Sequence, residues 1–404
     1  MATITAYEPE TDGGRIRRLR KRAGLTQAEF GQLMDRSQGW VSGVESGDIE
    51  LDSVTLIVRA ASVLKVYPNE VTGRPYDPGT PAEDRGHRAI PAIRRVVSRH
   101  DLPPDWPVEP RPRRELEAAL KQLTVLRMAA RYADLGEAAP SLIREIHAAA
   151  YLAPPGEESE RLHGLLACAY READTVAHEL GYDDLSTLTT ERFRAAADRA
   201  GDPCLSVVFD YLRVRDLWAA DLWPDALDVI DGAIDAMGEP SEKAEASVWG
   251  SLQLRAAITA ALSSKEDEAW QRIRLAAETA DRLGERNDPY TLCFGPANVA
   301  IHGVAVAVEV RDGARAVQLA SEVRMPADFP ASRRGRFHLD AARGWIYYGG
   351  YEQALNEIER AERIAPLLVR NNPLAKAAVR SLLTHERRSQ RERLRRIAGR
   401  MHIT

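Results

Sequence analysis

A chain of 404 residues with a formal net charge of -5 exceeds what one hydrophobic core usually serves and predicts two or more structural units. Cys168, Cys204 and Cys293 stand at no paired spacing, which argues against a disulfide framework or a cysteine zinc site and points to a reducing, cytoplasmic setting. No apolar run approaches the ~18 residues of a membrane span, the opening MATITAYEPETDGG lacks both parts of a signal peptide, and the acidic total argues against nonspecific coating of nucleic acid by the whole surface.

Charge is nevertheless uneven. Arg15, Arg17, Arg18, Arg20, Lys21 and Arg22 crowd one short segment, and a second basic run, ERRSQRERLRRIAGR, lies near the C-terminus. From Gly14 to Val66 the pattern predicts four or five short helices. Ile16, Leu19 and Ala23 share the face of the first, which Gly24 stops. Thr26 caps the second, with Glu29 completing a capping box and Phe30 and Leu33 forming the buried face. Ser37 caps a third helix carrying Trp40, Val41 and Val44 and ending at Ser46-Gly47. Asp52 is placed to cap the next, with Leu56, Ala60 and Leu64 inside.

Two short helices joined by a tight turn, the second presenting small and polar residues, suit a DNA major groove. The stretch from Leu25-Thr26-Gln27 to Glu45-Ser46-Gly47 resembles the phage-repressor-type (XRE) helix-turn-helix family over about 55 residues. That resemblance implies a DNA-binding face made of Arg17, Thr26, Gln27, Ser37, Gln38, Gly39, Trp40, Ser42 and Gly43. It implies that Gln27 bonds a phosphate and buttresses Gln38, and that Gln38 opens the recognition helix, where a glutamine can pair with adenine. Ser42 and Gly43 would lie a turn further along the groove side. Arg20 and Glu45 would form an internal ion pair. Trp40 reads equally as core or phosphate packing and as a reader of bases. Gly39 and Gly43 leave direct readout sparse, so backbone contacts and DNA shape carry more of the specificity. One such unit reads one half-site, so a homodimer on an inverted repeat is expected, with double-stranded DNA as partner.

Residues 67–112 hold ten prolines, beginning with Pro68 and ending with Pro112, and predict a linker with one short helix around Arg88 to His100. Such a tether would let the reading head move. From Arg113 to about Leu383, amphipathic segments follow one another without strand alternation, so the fold class is all-α. Arg336 to Pro366 resembles a tetratricopeptide repeat through Ala342, Trp345, Ala354, Ile358, Ala361 and Pro366. The same frame fits Ala226, Ala269 and Ala316, and five or six helix pairs are expected over 113–385, with 386–404 a basic tail read first as solvated. The segments Glu115–Leu135 and Ser141–Leu152 are expected as separate helices.

The concave face of such an array selects Tyr211, Arg215, Trp218, Asn298, His302, Arg336, Arg343 and Tyr347, a polar and aromatic lining suited to a peptide or small-molecule effector. Ordinary interhelical packing would use the same aromatic residues. No phosphate loop, HExxH, nucleophile elbow or dinucleotide fingerprint occurs, so neither an enzyme nor a cofactor or metal is expected. The architecture resembles regulators that join this helix-turn-helix to repeats and respond to a peptide or autoinducer. The rival reading is a protein-interaction adaptor or antitoxin-like partner binder that uses DNA for localisation.

Overall fold

The structure, a computed structural model, describes residues 12–66, 68–72, 81–284 and 289–403. Among these residues every regular element is a helix. The N-terminal unit comprises α1 (Asp12–Arg22), α2 (Gln27–Leu33), α3 (Gln38–Ser46), α4 (Val54–Leu64) and α5 (Pro68–Thr72). Its core is Ile16, Leu19, Phe30, Met34, Val41, Val44, Ala60, Ala61, Leu64 and Val71. Leu33, expected inside, is 47% exposed while Met34 is 3% exposed. In a helix of seven residues, the i, i+4 partner of Phe30 meets the core and its neighbour points outward.

Two short helices follow, α6 (Pro81–Arg88) and α7 (Ile90–Ser98). They change the linker expectation. Ile90, Ile93, Val96 and Val97 are buried in the main core of the body, and Gly86 lies close against Leu180. The proline-rich stretch therefore docks over 81–98 instead of acting as a free tether along its length. The prolines Pro75 and Pro78 lie outside the described residues.

Among the described residues the body stacks six antiparallel pairs: α8 (Arg113–Met128) with α9 (Tyr132–Leu152), α10 (Glu157–Glu179) with α11 (Asp183–Ala197), α12 (Pro203–Ala219) with α13 (Trp223–Met237), α14 (Lys243–Leu262) with α15 (Glu266–Leu283), α16 (Pro296–Glu309) with α17 (Gly313–Glu322), and α18 (Ala331–Tyr348) with α19 (Tyr351–Ile364). The frame alanines Ala226, Ala269, Ala316 and Ala354 are all fully buried. A methyl there lets paired helices approach closely, and Ile230 and Ile358, also fully buried, fill the groove beside it.

One expected break moves. The first body helix ends where Ala130 takes a left-handed φ of 55°, and α9 then runs unbroken through Pro140. A proline inside a helix costs ~3 kcal/mol or more. Here burial of Leu135, Ala139, Leu142, Ile143 and Ile146 around it outweighs that cost.

The array ends in α20 (Pro366–Asn371), α21 (Pro373–Thr384) and α22 (Arg391–Arg400). The tail is not solvated: Leu394, Ile397 and Met401 are each 1% exposed and belong to the main core. Arg393 pairs with Glu359 at 2.6 Å and Arg400 with Glu362 at 2.5 Å. The basic helix is amphipathic, and its apolar stripe covers the last repeat as a solenoid cap must.

Candidate nucleic-acid interface

Helix α2 begins with the expected capping box, Thr26 Oγ1 accepting from the Glu29 amide at 3.2 Å and the Glu29 carboxylate accepting from the Thr26 amide at 2.7 Å. Ser37 caps α3 through the Trp40 amide at 3.1 Å, and Gly47, with φ 87°, terminates it in the left-handed conformation. The two helices are thus fixed on either side of a short turn. The cap of α4 is Ser53 and not Asp52. Asp52 is engaged with the body, as described below.

Arg20 and Glu45 are 8% and 5% exposed and joined by contacts of 2.5 and 3.1 Å. They tie α1 to the end of α3. Arg20 also donates to the Leu25 carbonyl at 2.5 Å. Burial pushes the Glu45 carboxyl up, but hydrogen bonds from Arg20 and Gln27 and the charges of Arg20 and Arg17 outweigh it and hold the group below its ordinary value. The Gln27 amide donates to Glu45 at 2.9 Å. Its partner is therefore Glu45, where the sequence reading had Gln38.

The outward face of α3 carries Gln38, Gly39, Ser42 and Ser46, all exposed. Trp40 is half-buried against the core, and Val41 and Val44 lie beneath. Gly43 does not share the outward face: a Cβ there would meet the Ile49 side chain at 2.7 Å. It is a close-packing glycine for the loop after α3. Arg17, Arg18, Lys21 and Arg22 stand exposed on α1, and Thr26 is exposed beside them. The face thus pairs a short, small-residue helix that can enter a groove with cations placed at its flank for phosphates.

The opposite side of the unit is docked on the body. Asp52 Oδ1 meets Arg311 at 2.6 Å, and the Asp52 carbonyl accepts from Arg343 at 3.3 Å and from the Tyr347 hydroxyl at 3.4 Å. Glu50 faces Arg380 at 3.7 Å. Val54 and Val58 of α4 join Trp218, Trp223, Ile258 and Leu262 in one apolar cluster. Gln38, Gly39, Ser42 and Ser46 take part in none of these contacts and stay exposed.

The eight residues selected for effector binding divide into two groups. Tyr211, Arg215, Trp218, Asn298, His302 and Arg336 come from first helices of the pairs, on the inner wall of the array. Arg215 pairs with Asp174 at 2.7 Å, Arg336 with Glu179 at 3.0 Å, and Trp218 donates to Thr259 at 3.1 Å. His302 Nδ1 meets the Asn298 carbonyl at 2.7 Å; burial, aided by Arg333, lowers this imidazole to about 3 and keeps it neutral. Arg343 and Tyr347 do not join this group, since they hold Asp52. Arg343 is also paired with Glu309 at 2.8 Å. Sequence reasoning missed Arg255 on α14 and Arg333 on α18, although both are arginines on first helices of repeat pairs, the one signal that marked their neighbours.

Among the described residues, no group of three histidines, cysteines or carboxylates is placed to hold a metal ion, and no helix is long and apolar enough to cross a membrane.

A family model described as a helix-turn-helix domain matches residues 13–72. The N-terminal unit is a helix-turn-helix domain of the kind its capping and ion-pair pattern resembles. No curated protein matches the chain. Among solved structures, Bacillus thuringiensis PlcR in complex with the peptide PapR7 and DNA aligns over 89% of this chain and 99% of its own, at 10% identity and a TM-score of 0.25.

Proposed function

We propose that the protein is a sequence-specific DNA-binding transcriptional regulator of the cytoplasm, acting as a homodimer on an inverted repeat. Its repeat body would sense a peptide or small-molecule effector. The observation that carries this is the exposed face of α3, capped at Ser37 and braced by Arg20, Glu45 and Gln27, standing clear of the body. Gln38 would read a base, Ser42 would touch the groove one turn on, and Ser37, Gln27 and Arg17 would meet phosphates. The proposal includes no catalytic step.

Helix α18 supplies a route from effector to DNA. Arg333 and Arg336 at its start face the inner wall, while Arg343 and Tyr347 hold the loop between α3 and α4. The eleven residues from Arg333 to Arg343 make a rigid strut ~15 Å long. An effector that binds two placements of this strut unequally would shift the angle of the reading head.

The test is selection of bound duplexes from a random pool, followed by anisotropy titration at several salt concentrations. Gln38→Ala should relax preference at one position by about 1–3 kcal/mol. Arg17→Ala should weaken all sequences alike and reduce the salt slope by about one. Unaltered selectivity in the double variant Gln27→Ala/Gln38→Ala would overturn the assignment of α3 as the reading helix.

A further inference from the structure

The array curls far enough that α18 packs on α8 and α20 on α10, so the first helices of the pairs face a shared interior. The loop before α16 enters it. There Arg127 donates to Thr291 Oγ1 at 2.6 Å and Arg171 to the Thr291 carbonyl at 3.1 Å. Arg127 also pairs with Glu172 at 2.9 Å. With Arg215 on Asp174 and Arg336 on Glu179, most of the interior cations are answered.

Arg255 and Arg333 face only weaker acids, the Tyr211 phenol against both and the Cys293 thiol against Arg333. Among the described residues neither has a carboxylate within ion-pairing distance. Arg333 donates to the Leu292 carbonyl at 3.1 Å. The Arg255 guanidinium lies 4.0 Å from the centre of the Tyr211 ring and 5.0 Å from that of Trp218, and its buried Nε has no hydrogen-bond partner. Asn298, 2% exposed, also leaves its buried Oδ1 unpartnered, one turn before His302. Enclosed positive charge without a counter-anion is costly. Arg255, His302 and Arg333 nevertheless keep part of their surface accessible.

We propose that Arg255 and Arg333, with the Tyr211 hydroxyl beside them, bind the anionic oxygen group of the effector, a carboxylate or a phosphate. Planar guanidinium forks match both groups, and the Tyr211 and Trp218 rings supply an apolar wall beside the charge. The Tyr211 phenol already responds to these two cations. Burial would raise it, but the Arg255 and Arg333 charges overcome burial and bring it down to about 7. A bound oxyanion takes over as their counter-charge, and the phenolate then takes up a proton from solvent. This inference rests on the regulator reading and deepens it.

The experiment follows the heat of binding to the full chain by calorimetry, with its tyrosinate absorbance alongside, as inorganic phosphate, acetate or N-acetylleucine is added at constant ionic strength in chloride. Tyr211→Phe identifies the band. Saturable heat with phosphate alone assigns a phosphate group; heat with acetate or N-acetylleucine assigns a carboxylate. Arg255→Gln, checked for native helicity, should weaken the response roughly tenfold. No binding heat with any probe, or an Arg255→Gln variant that titrates like wild type, would overturn the proposal. Duplex selectivity of the double variant Gln27→Ala/Gln38→Ala is measured on the same preparations. If it falls while no anion binds, only the anion site fails; if it is unaffected, the regulator reading fails whatever the anion does.

Discussion

Replacing Arg20 with alanine removes half of an ion pair whose members are 8% and 5% exposed. Among the described residues Glu45 would keep the Gln27 amide as a hydrogen-bond partner, with the charge of Arg17 acting on it. Stranding one charge of a buried pair costs about 3–5 kcal/mol, whereas a unit of about 60 residues commands only about 3–9 kcal/mol in all. The loss should therefore open α1 to α3 locally while the repeat body stays folded. At ~1.4 kcal/mol per decade, amide exchange in these helices should accelerate by about two orders of magnitude or more, with α8 to α11 unchanged. The double variant Arg20→Met/Glu45→Leu, which removes both charges and keeps the volume, should recover most of the protection because no buried charge is left alone. Hydrogen-exchange mass spectrometry reads both variants. Wild-type exchange in Arg20→Ala, or a double variant that exchanges as fast as the single one, would refute the reasoning.

Three further outcomes follow from the body and its contacts. Leu394→Ala, at a site 1% exposed in the main core, should cost about 2–5 kcal/mol and lower the melting temperature of the body; an unchanged melt would show that α22 is not a cap. At the junction, Arg311→Ala should cost at most about 1 kcal/mol, because Arg311 and Asp52 are 49% and 30% exposed. Trp223→Ala should cost about 3–5 kcal/mol and release α4 from the body, an ordering that small-angle scattering and denaturant titration can check. His302, held at about 3 by burial and by Arg333, has a folded value below its unfolded one. Its contribution is complete above the ordinary histidine value of about 6.5 and is lost as pH falls toward the folded value, so His302→Gln should lose less stability on acidification than wild type, measured by melting temperature against pH.

The N-terminal unit was legible because its determinants are local. A cap and its box lie three residues apart, as at Thr26 and Glu29, and a left-handed glycine ends α3 where the sequence places it. The repeat alanines were legible for a related reason: close helix approach demands a small side chain at a fixed offset, and Ala226, Ala269, Ala316 and Ala354 meet that demand at full burial. Errors arose where local rules left a choice. Asp52 and Ser53 are both good caps, and the choice fell to Ser53 because Arg311, Arg343 and Tyr347, far along the chain, claim Asp52. Gly43 is set by packing, since the Ile49 side chain, six residues on, fills the space a Cβ would take.

Composition described 67–112 and 386–404 by their prolines and arginines, which dominate an average. Packing is decided instead by the few apolar positions between them, Ile90, Ile93, Val97, Leu394 and Ile397, once a complementary surface exists to receive them. The same holds for the interior charges. A sequence lists arginines without partners; only the curl of the array, bringing α18 onto α8, decides that Arg336 meets Glu179 while Arg255 and Arg333 meet no carboxylate among the described residues. Secondary structure and repeat frame are set by short-range sterics and hydrogen bonding, so the chain's order reveals them. Which charges are neutralised, and which face the reading head turns to the body, depend on contacts between residues far apart in the chain, and these exist only in the folded molecule.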